Sequence, residues 1–169
     1  MNEILAEIRL RVCVENLARS CKEEGCEASL EDIPYPRVVV DANKAFPAQA
    51  MEGQRCDYIL FFMNAAEDTL FTVPIELKSG KVDASEAINQ LQGGAAFANR
   101  FTPTSFRSIC RPILFHGTRR IHEEERKELG RKKISFRDDK LTVKTARCSK
   151  SKNLAIALSR DLRTVVARH

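Results

Sequence analysis

The chain has no tryptophan, and aromatic residues make up only 7% of it. Single-strand binding by base stacking relies on aromatic rings, so nothing here favours such a platform. No apolar run approaches the ~18 residues that a membrane-crossing helix needs. Glu3 and Glu7 interrupt the N-terminal region, which is therefore not expected to be a secretory signal. The cytoplasm is the expected compartment, with no membrane partner. Cys13, Cys21, Cys26, Cys56, Cys110 and Cys148 form no CxxC pair. With His116, His122 and His169 they complete no tetrahedral zinc pattern either. Cys21 and Cys26 could supply two metal ligands, but the plainer expectation is six reduced, partly buried thiols.

What is present is ordinary for a globular protein. At 169 residues, 43% apolar and 30% charged, the chain is long enough for one domain with a substantial core. The charge is unevenly placed. Residues 1–99 hold 9 Lys and Arg against 16 Asp and Glu, and residues 100–169 hold 19 against 7. This asymmetry points to an anionic partner for the basic part, nucleic acid first among them. The plainer alternative is that the two parts face each other within one fold. No linker separates them, so the expectation is a single domain over 1–169 with a basic extension from about 118 to 169.

The periodicity predicts a helix over residues 3–22 with Leu10, Val14, Leu17 and Cys21 on its buried stripe, stopped by Gly25. Ile8 to Val14 also alternates, so a strand is open there. Val38-Val39-Val40 reads as a strand, followed by a loop through Pro47 and Gly53. Two apolar runs, one after Asp57 and one ending at Glu76-Leu77-Lys78, flank a single polar break at residues 64–69. They read as a hairpin in which residue i faces 133 − i. That register sets Asp57 against Glu76, Ile59 against Pro74 and Phe61 against Thr72, with Lys78 on the Glu76 face. Pro74 fits a central strand poorly, because it lacks a ladder donor.

Asp83 and Glu86 then open a helix over about 84–100, with Ile88, Leu91, Ala95 and Ala98 as its core stripe. Gly93-Gly94 within it implies close approach to the sheet or to a ligand. Residues 112–115 read as a buried parallel strand ending at His116, here taken as a strand-end residue. Residues 121–129 read as a helix. A hairpin follows around Asp138-Asp139, and Asn153 caps a last helix through Leu154, Ala157, Leu158, Leu162 and Val165. The order implies an α/β (α+β) domain with one mixed central sheet flanked by helices.

Two carboxylates and a lysine at one end of a hairpin form a chemically capable set. Paired carboxylates repel unless one is protonated or a cation lies between them, and a hard cation such as Mg²⁺ takes oxygen ligands. The plainer alternative is a strand-end ion pair of Asp57 with Lys78, worth about 1 kcal/mol or less.

Asp57, Glu76-Leu77-Lys78 and Gln90, in this order of elements, resemble the PD-(D/E)xK or restriction-endonuclease-like nuclease superfamily. Ile75 to Lys81 with Gln90-Leu91 looks most like its RecB-like branch. The resemblance covers roughly residues 1–117 and departs from the pattern at two places. Cys56 stands where proline is common, and Gly94 and Phe97 stand where the RecB-like branch has tyrosine. The resemblance implies metal-dependent phosphodiester hydrolysis, of DNA before RNA. Asp57, Glu76 and the Leu77 carbonyl would hold Mg²⁺ or Mn²⁺, Lys78 would stabilise the transition state, and Gln90 would position water or phosphate. Glu15 is the matching candidate for a further carboxylate. No iron–sulfur cluster is expected. Lys81, Arg100, Arg107, Arg119, Arg120, Arg131, Lys132 and Lys133 are candidates for phosphate-backbone contacts. A homodimer or a protein partner fits the small size. The alternative function is a non-catalytic nucleic-acid- or protein-binding module of the same fold, serving a larger defence or repair complex.

Overall fold

A computed structural model describes residues 2–163. The chain folds as a mixed α+β domain around one central sheet flanked by helices. In chain order the elements are α1 (Glu3–Val12), β1 (Cys21–Glu23), β2 (Cys26–Ala28), β3 (Arg37–Asp41), α2 (Ala42–Ala48), β4 (Tyr58–Asn64) and β5 (Thr69–Lys78). They continue with α3 (Ala84–Phe101), β6 (Ser108–Cys110), β7 (Ile113–His116), α4 (Glu123–Arg131), β8 (Ile134–Phe136), β9 (Asp139–Leu141), β10 (Lys144–Arg147) and α5 (Asn153–Arg163). The main sheet runs β10-β7-β5-β4-β3, with β6 beside the first half of β5. β3, β4 and β5 form an antiparallel meander, whereas β6, β7 and β10 add in parallel.

From Tyr58 to Asn64 the central hairpin has the predicted register, but the ladder stops short of the expected Asp57–Glu76 pair, and Asp57 bonds to Ile75 instead. Tyr58 pairs with Ile75, Ile59 with Pro74 and Phe61 with Thr72. Pro74 is accommodated in this central strand by a break in its neighbour. β6 pairs with β5 as far as Thr72, and β7 takes over at Ile75. The missing N–H of Pro74 therefore falls opposite Arg111-Pro112, between the two strands, so no pair of either ladder is interrupted.

Each sheet face carries its own core. On one face α1, α2, α3 and the β8–β9 hairpin pack Leu5, Ile8, Phe46, Leu91, Phe97 and Phe136 against Ile59, Phe61 and Leu114. On the other, the β1–β2 hairpin and α5 pack Cys21, Ile33, Leu154 and Leu158 against Leu60, Phe71, Ile75 and Phe115. α3 keeps the predicted stripe, and Asp83 accepts the Glu86 N–H at its start.

The first helix is shorter than predicted, and its buried face has a different phase. Leu5, Ile8 and Val12 are buried, whereas Leu10 and Val14 are 80% and 66% exposed. Two stripes of equal period coexist in this segment, and period alone does not select between them. The helix ends at Cys13, where φ is 73°, and Asn16 donates its side-chain amide to the Val12 carbonyl. Cys21 belongs instead to the β1–β2 hairpin, with Gly25 (φ 72°) in its turn.

The expectation of six reduced thiols is also corrected. Cys26 of β2 is bonded to Cys148 just after β10, 122 residues away. Spacing cannot reveal such a distant pair. Of the others, Cys21, Cys56 and Cys110 are buried, and burial pushes their thiols up, to about 12 for Cys21 and Cys110. Thiols held protonated in this way are packing groups rather than nucleophiles.

Beyond residue 118 the chain rejoins the sheet. β10 pairs along β7, and α5 covers the Leu60 face. Asn153 does not cap α5. It accepts the Ser29 N–H and donates to the Glu27 and Arg147 carbonyls, pinning the helix start to β2. Val165 of the predicted stripe lies outside the described residues. Asp161 of α5 receives both Arg111 and Lys144. Burial raises its pKa, but those two hydrogen bonds outweigh it and hold the carboxyl below its ordinary value. Asp161→Ala is expected to cost about 2 kcal/mol near neutral pH, since it strands two partly buried cations. The carboxyl is stabilised only when ionised, so the difference shrinks as pH falls through the carboxylate range. Urea unfolding of both proteins against pH checks this.

Candidate active site at the end of the central hairpin

The site begins where β4 starts and β5 ends. Asp57 directly precedes β4, and its N–H donates to the Ile75 carbonyl. Its carboxylate accepts the Leu77 N–H at 2.8 Å, which ties the two strand ends together. Backbone N–H and C=O of one strand residue point to the same side, so the Leu77 carbonyl is turned toward Asp57 as well. Glu76 is only 2% exposed. Its Oε1 lies 3.1 Å from Lys78 Nζ, and Lys78 is also 3.9 Å from Glu86. The Glu86 side chain thus reaches to Lys78 from the first turn of α3.

The electrostatics set the two carboxyls apart from the rest of the chain. Burial pushes Glu76 up to about 7, the Asp57 charge adds to this, and Lys78 and the Asp57 N–H only partly oppose it. Asp57 is raised too, by burial first, against the pull of the Leu77 N–H, with Glu23 and Asp41 adding repulsion. Glu76 Oε2 is buried and has no hydrogen-bond partner among the described residues. Gln90 Oε1 is in the same condition. One turn further along α3, Gly94 sits against Cys56 and Pro74. The i, i+4 relation therefore turns Gln90 toward the C-terminal end of β5.

Glu23 carries no periodic or spacing signal, and sequence reasoning missed it. It sits on the β1–β2 hairpin, accepts the Tyr58 hydroxyl at 3.2 Å and contributes to the field at Asp57. The Glu23-Glu24-Gly25-Cys26 turn was the signal that could have revealed the hairpin. Glu15 lies exposed in the 3₁₀ turn Val14–Asn16 and makes none of these contacts.

The structure brings together Asp57, Glu76, Leu77 and Lys78, and α3 turns Gln90 toward the same strand end. The basic candidates are scattered. Lys81, Arg119 and Arg120 line a small hollow of about 100 Å³ next to the end of β5. Arg100 lies over the Phe101 ring and donates to the Gln49 carbonyl, and Arg107 is in the loop before β6. Arg131 and Lys132 are paired with Glu128, and Lys133 donates to Gly130 and Thr142.

The residues at the site fit a hard divalent cation. Two carboxyls that repel each other stand with an unpartnered carboxylate oxygen and an unpartnered amide oxygen, an oxygen-rich set that Lys78 and the Leu77 N–H answer only in part. No cluster of three or more His, Cys, Asp or Glu side chains suited to a metal occurs among the described residues. The protein ligands available are therefore few, and Mg²⁺ keeps water in the rest of its shell.

No protein-family model matches the chain, and neither does any curated protein or solved structure. The fold and the site together define a mixed α+β domain with a buried Glu76 and a partly buried Asp57, both with raised pKa values, at one end of its central sheet. Among the described residues no helix is long and apolar enough to cross a membrane.

Proposed function

We propose that the chain is a metal-dependent nuclease of restriction-endonuclease-like architecture, acting on DNA before RNA through a PD-(D/E)xK site. One observation carries the reading: Glu76 is almost wholly buried, its pKa is raised to about 7, and one of its oxygens has no partner. Carboxylates placed at such a cost cluster at functional sites. Asp57, Glu76 and the Leu77 carbonyl would hold Mg²⁺ or Mn²⁺. A cation there supplies Lewis-acid polarisation of the scissile phosphate and activates water at neutral pH. Lys78, half-withdrawn from solvent between Glu76 and Glu86, stabilises negative charge that develops on the phosphate. Gln90 presents its orphaned amide oxygen to a water proton.

The Glu76–Lys78 ion pair also supports a second reading, in which the fold is a binding module that does not cut. The test separates the two. Single- and double-stranded DNA and RNA are incubated with the protein in Mg²⁺, Mn²⁺ or EDTA, with Lys78→Ala alongside. The expected outcome is cleavage that requires metal and falls by about a hundredfold in Lys78→Ala. Salt-sensitive binding with no cleavage under any condition would favour the binding module.

A further inference from the structure

The sign of charge reverses along the end of the sheet. On the α3 face it is acidic at Asp57 and Glu76, and it turns basic from Lys78 onward. Lys78 pairs with His116 of β7, and His116 pairs with Arg147 of β10. Residues paired in parallel strands share a face, so these three side chains form a row two strand spacings long, roughly 10 Å. The row opens into a cavity of about 460 Å³ lined by His116, Arg120, Arg126, Val143, Thr145 and Arg147, with Ile121, Leu129 and Gly130 as its remaining wall. No carboxylate lines it.

Three acidic residues of α4 are engaged elsewhere, and Glu124 lines a separate hollow. Glu123 pairs with Lys127, Glu125 accepts the Ala84 N–H, and Glu128 binds Arg131 and Lys132. Among the described residues Arg120 and Arg126 have no carboxylate partner, and Arg147 donates only to the Thr118 carbonyl. His116 Nδ1 lies 3.1 Å from the Gly117 carbonyl, which leaves Nε2 without a protein partner among the described residues. Arg120 and Ile121 also line the hollow with Lys81 and Arg119, which makes the basic track continuous from the end of β5 to the cavity.

We propose that His116, Arg120, Arg126 and Arg147 form a phosphate-binding subsite, which holds a backbone phosphate of the nucleic-acid strand beyond the scissile position. The inference rests on the nuclease reading for its substrate, but its chemistry is independent of cleavage. Three guanidinium groups converging without carboxylates suit a phosphate, and their planar forks bind it through paired N–H donors. The acidic end takes the cation and the basic end takes the next anion, so a strand laid along this row meets both in register. The four residues are positioning residues and touch no reacting atom.

The test is binding of a short labelled oligonucleotide in EDTA, across a salt series, by the wild type, Arg126→Ala, Arg147→Ala and the double variant. Each single loss is expected to weaken binding about tenfold and to lower the slope of log K against log salt by about one. Arg126→Lys should keep the slope while losing part of the affinity. Inorganic phosphate should shift the His116 and Thr145 amide resonances in the wild type and not in the double variant. Oligonucleotides with and without a terminal phosphate locate the occupant. A gain confined to the phosphorylated end identifies a terminal group, and equal binding identifies an internal diester. Thermal melts confirm that the exposed substitutions leave the fold intact.

Unchanged affinity and slope in the double variant would overturn the subsite, as would a wild type that binds neither phosphate nor oligonucleotide. Metal-dependent cleavage could persist in the first case, leaving the nuclease reading in place. Binding that needs Arg126 and Arg147 without cleavage in any metal would instead remove the nuclease reading and keep the subsite.

Discussion

Replacing Glu76 with glutamine is expected to stabilise the protein in the absence of metal and to abolish the proposed metal-dependent cleavage. A folded-state pKa of about 7 against an ordinary value of 4.5 means that the folded chain holds this proton where the unfolded chain has released it. Stability from this group is then greatest at acid pH, falls as pH rises from 4.5 toward 7, and is level above that. The shift corresponds to about 3 kcal/mol of penalty above neutral pH, at 1.36 kcal/mol per unit. Glutamine has the same shape and no charge. In EDTA near pH 8, Glu76→Gln should therefore unfold at higher urea, by about 2–3 kcal/mol, and the gain should vanish near pH 4. Added Mg²⁺ should narrow the gap, because it stabilises only the wild type. Cleavage should fall by a thousandfold or more, since a neutral amide neither draws in the cation nor balances Lys78. The opposite result, a variant less stable than wild type at pH 8 in EDTA, would make Glu76 and Lys78 a structural ion pair and undercut the site.

The centre of this fold was legible in the sequence, and its flanks were not, for physical reasons. The Asp57–Lys78 hairpin follows from one polar break between two apolar runs, and its register then follows by counting. The α3 stripe followed because Asp83 fixes where the helix starts. The first helix lacks such an anchor: Leu5-Ile8-Val12 and Leu10-Val14-Leu17 both fit the helical period, and only tertiary packing selects the first. β1 and β2 are three residues each, too short for alternation to register. Their presence depends on contacts with Tyr58, Ser149 and Cys148, which lie far along the chain. β10 was missed for the same reason. Its alternation of half-buried and exposed residues signals little, and it becomes a strand by adding to β7. At the site, the residues on β5 and its helix were readable, because they recur at short spacing. Glu23, Arg126 and Arg147 were not, because each reaches its place through a long-range contact.

Gly94→Ala is expected to cost about 3 kcal/mol or more, although alanine is the better helix former. Helix propensity alone would favour the substitution by about 1 kcal/mol. Packing opposes it. An ideal Cβ at Gly94 would lie 2.4 Å from the Cys56 sulfur and 2.9 Å from the Pro74 side chain. Both neighbours are buried in the central hairpin, so neither can move without displacing a strand end. Overpacking of this kind costs about 1–3 kcal/mol even where some relaxation occurs, and here the two clashes act together. α3 must lift from the sheet, which carries Gln90 away from the end of β5 and loosens the residues around Asp57. Loss of metal-dependent cleavage is thus expected to accompany the loss of stability, even at temperatures where the variant remains folded. Gly130→Ala in α4 is the control, because a Cβ there meets nothing within 4 Å. It should leave stability unchanged or raise it by up to about 1 kcal/mol. Urea unfolding of the two variants would show the contrast, and equal effects of the two substitutions would mean that α3 does not pack against β5 as closely as its paired glycines imply.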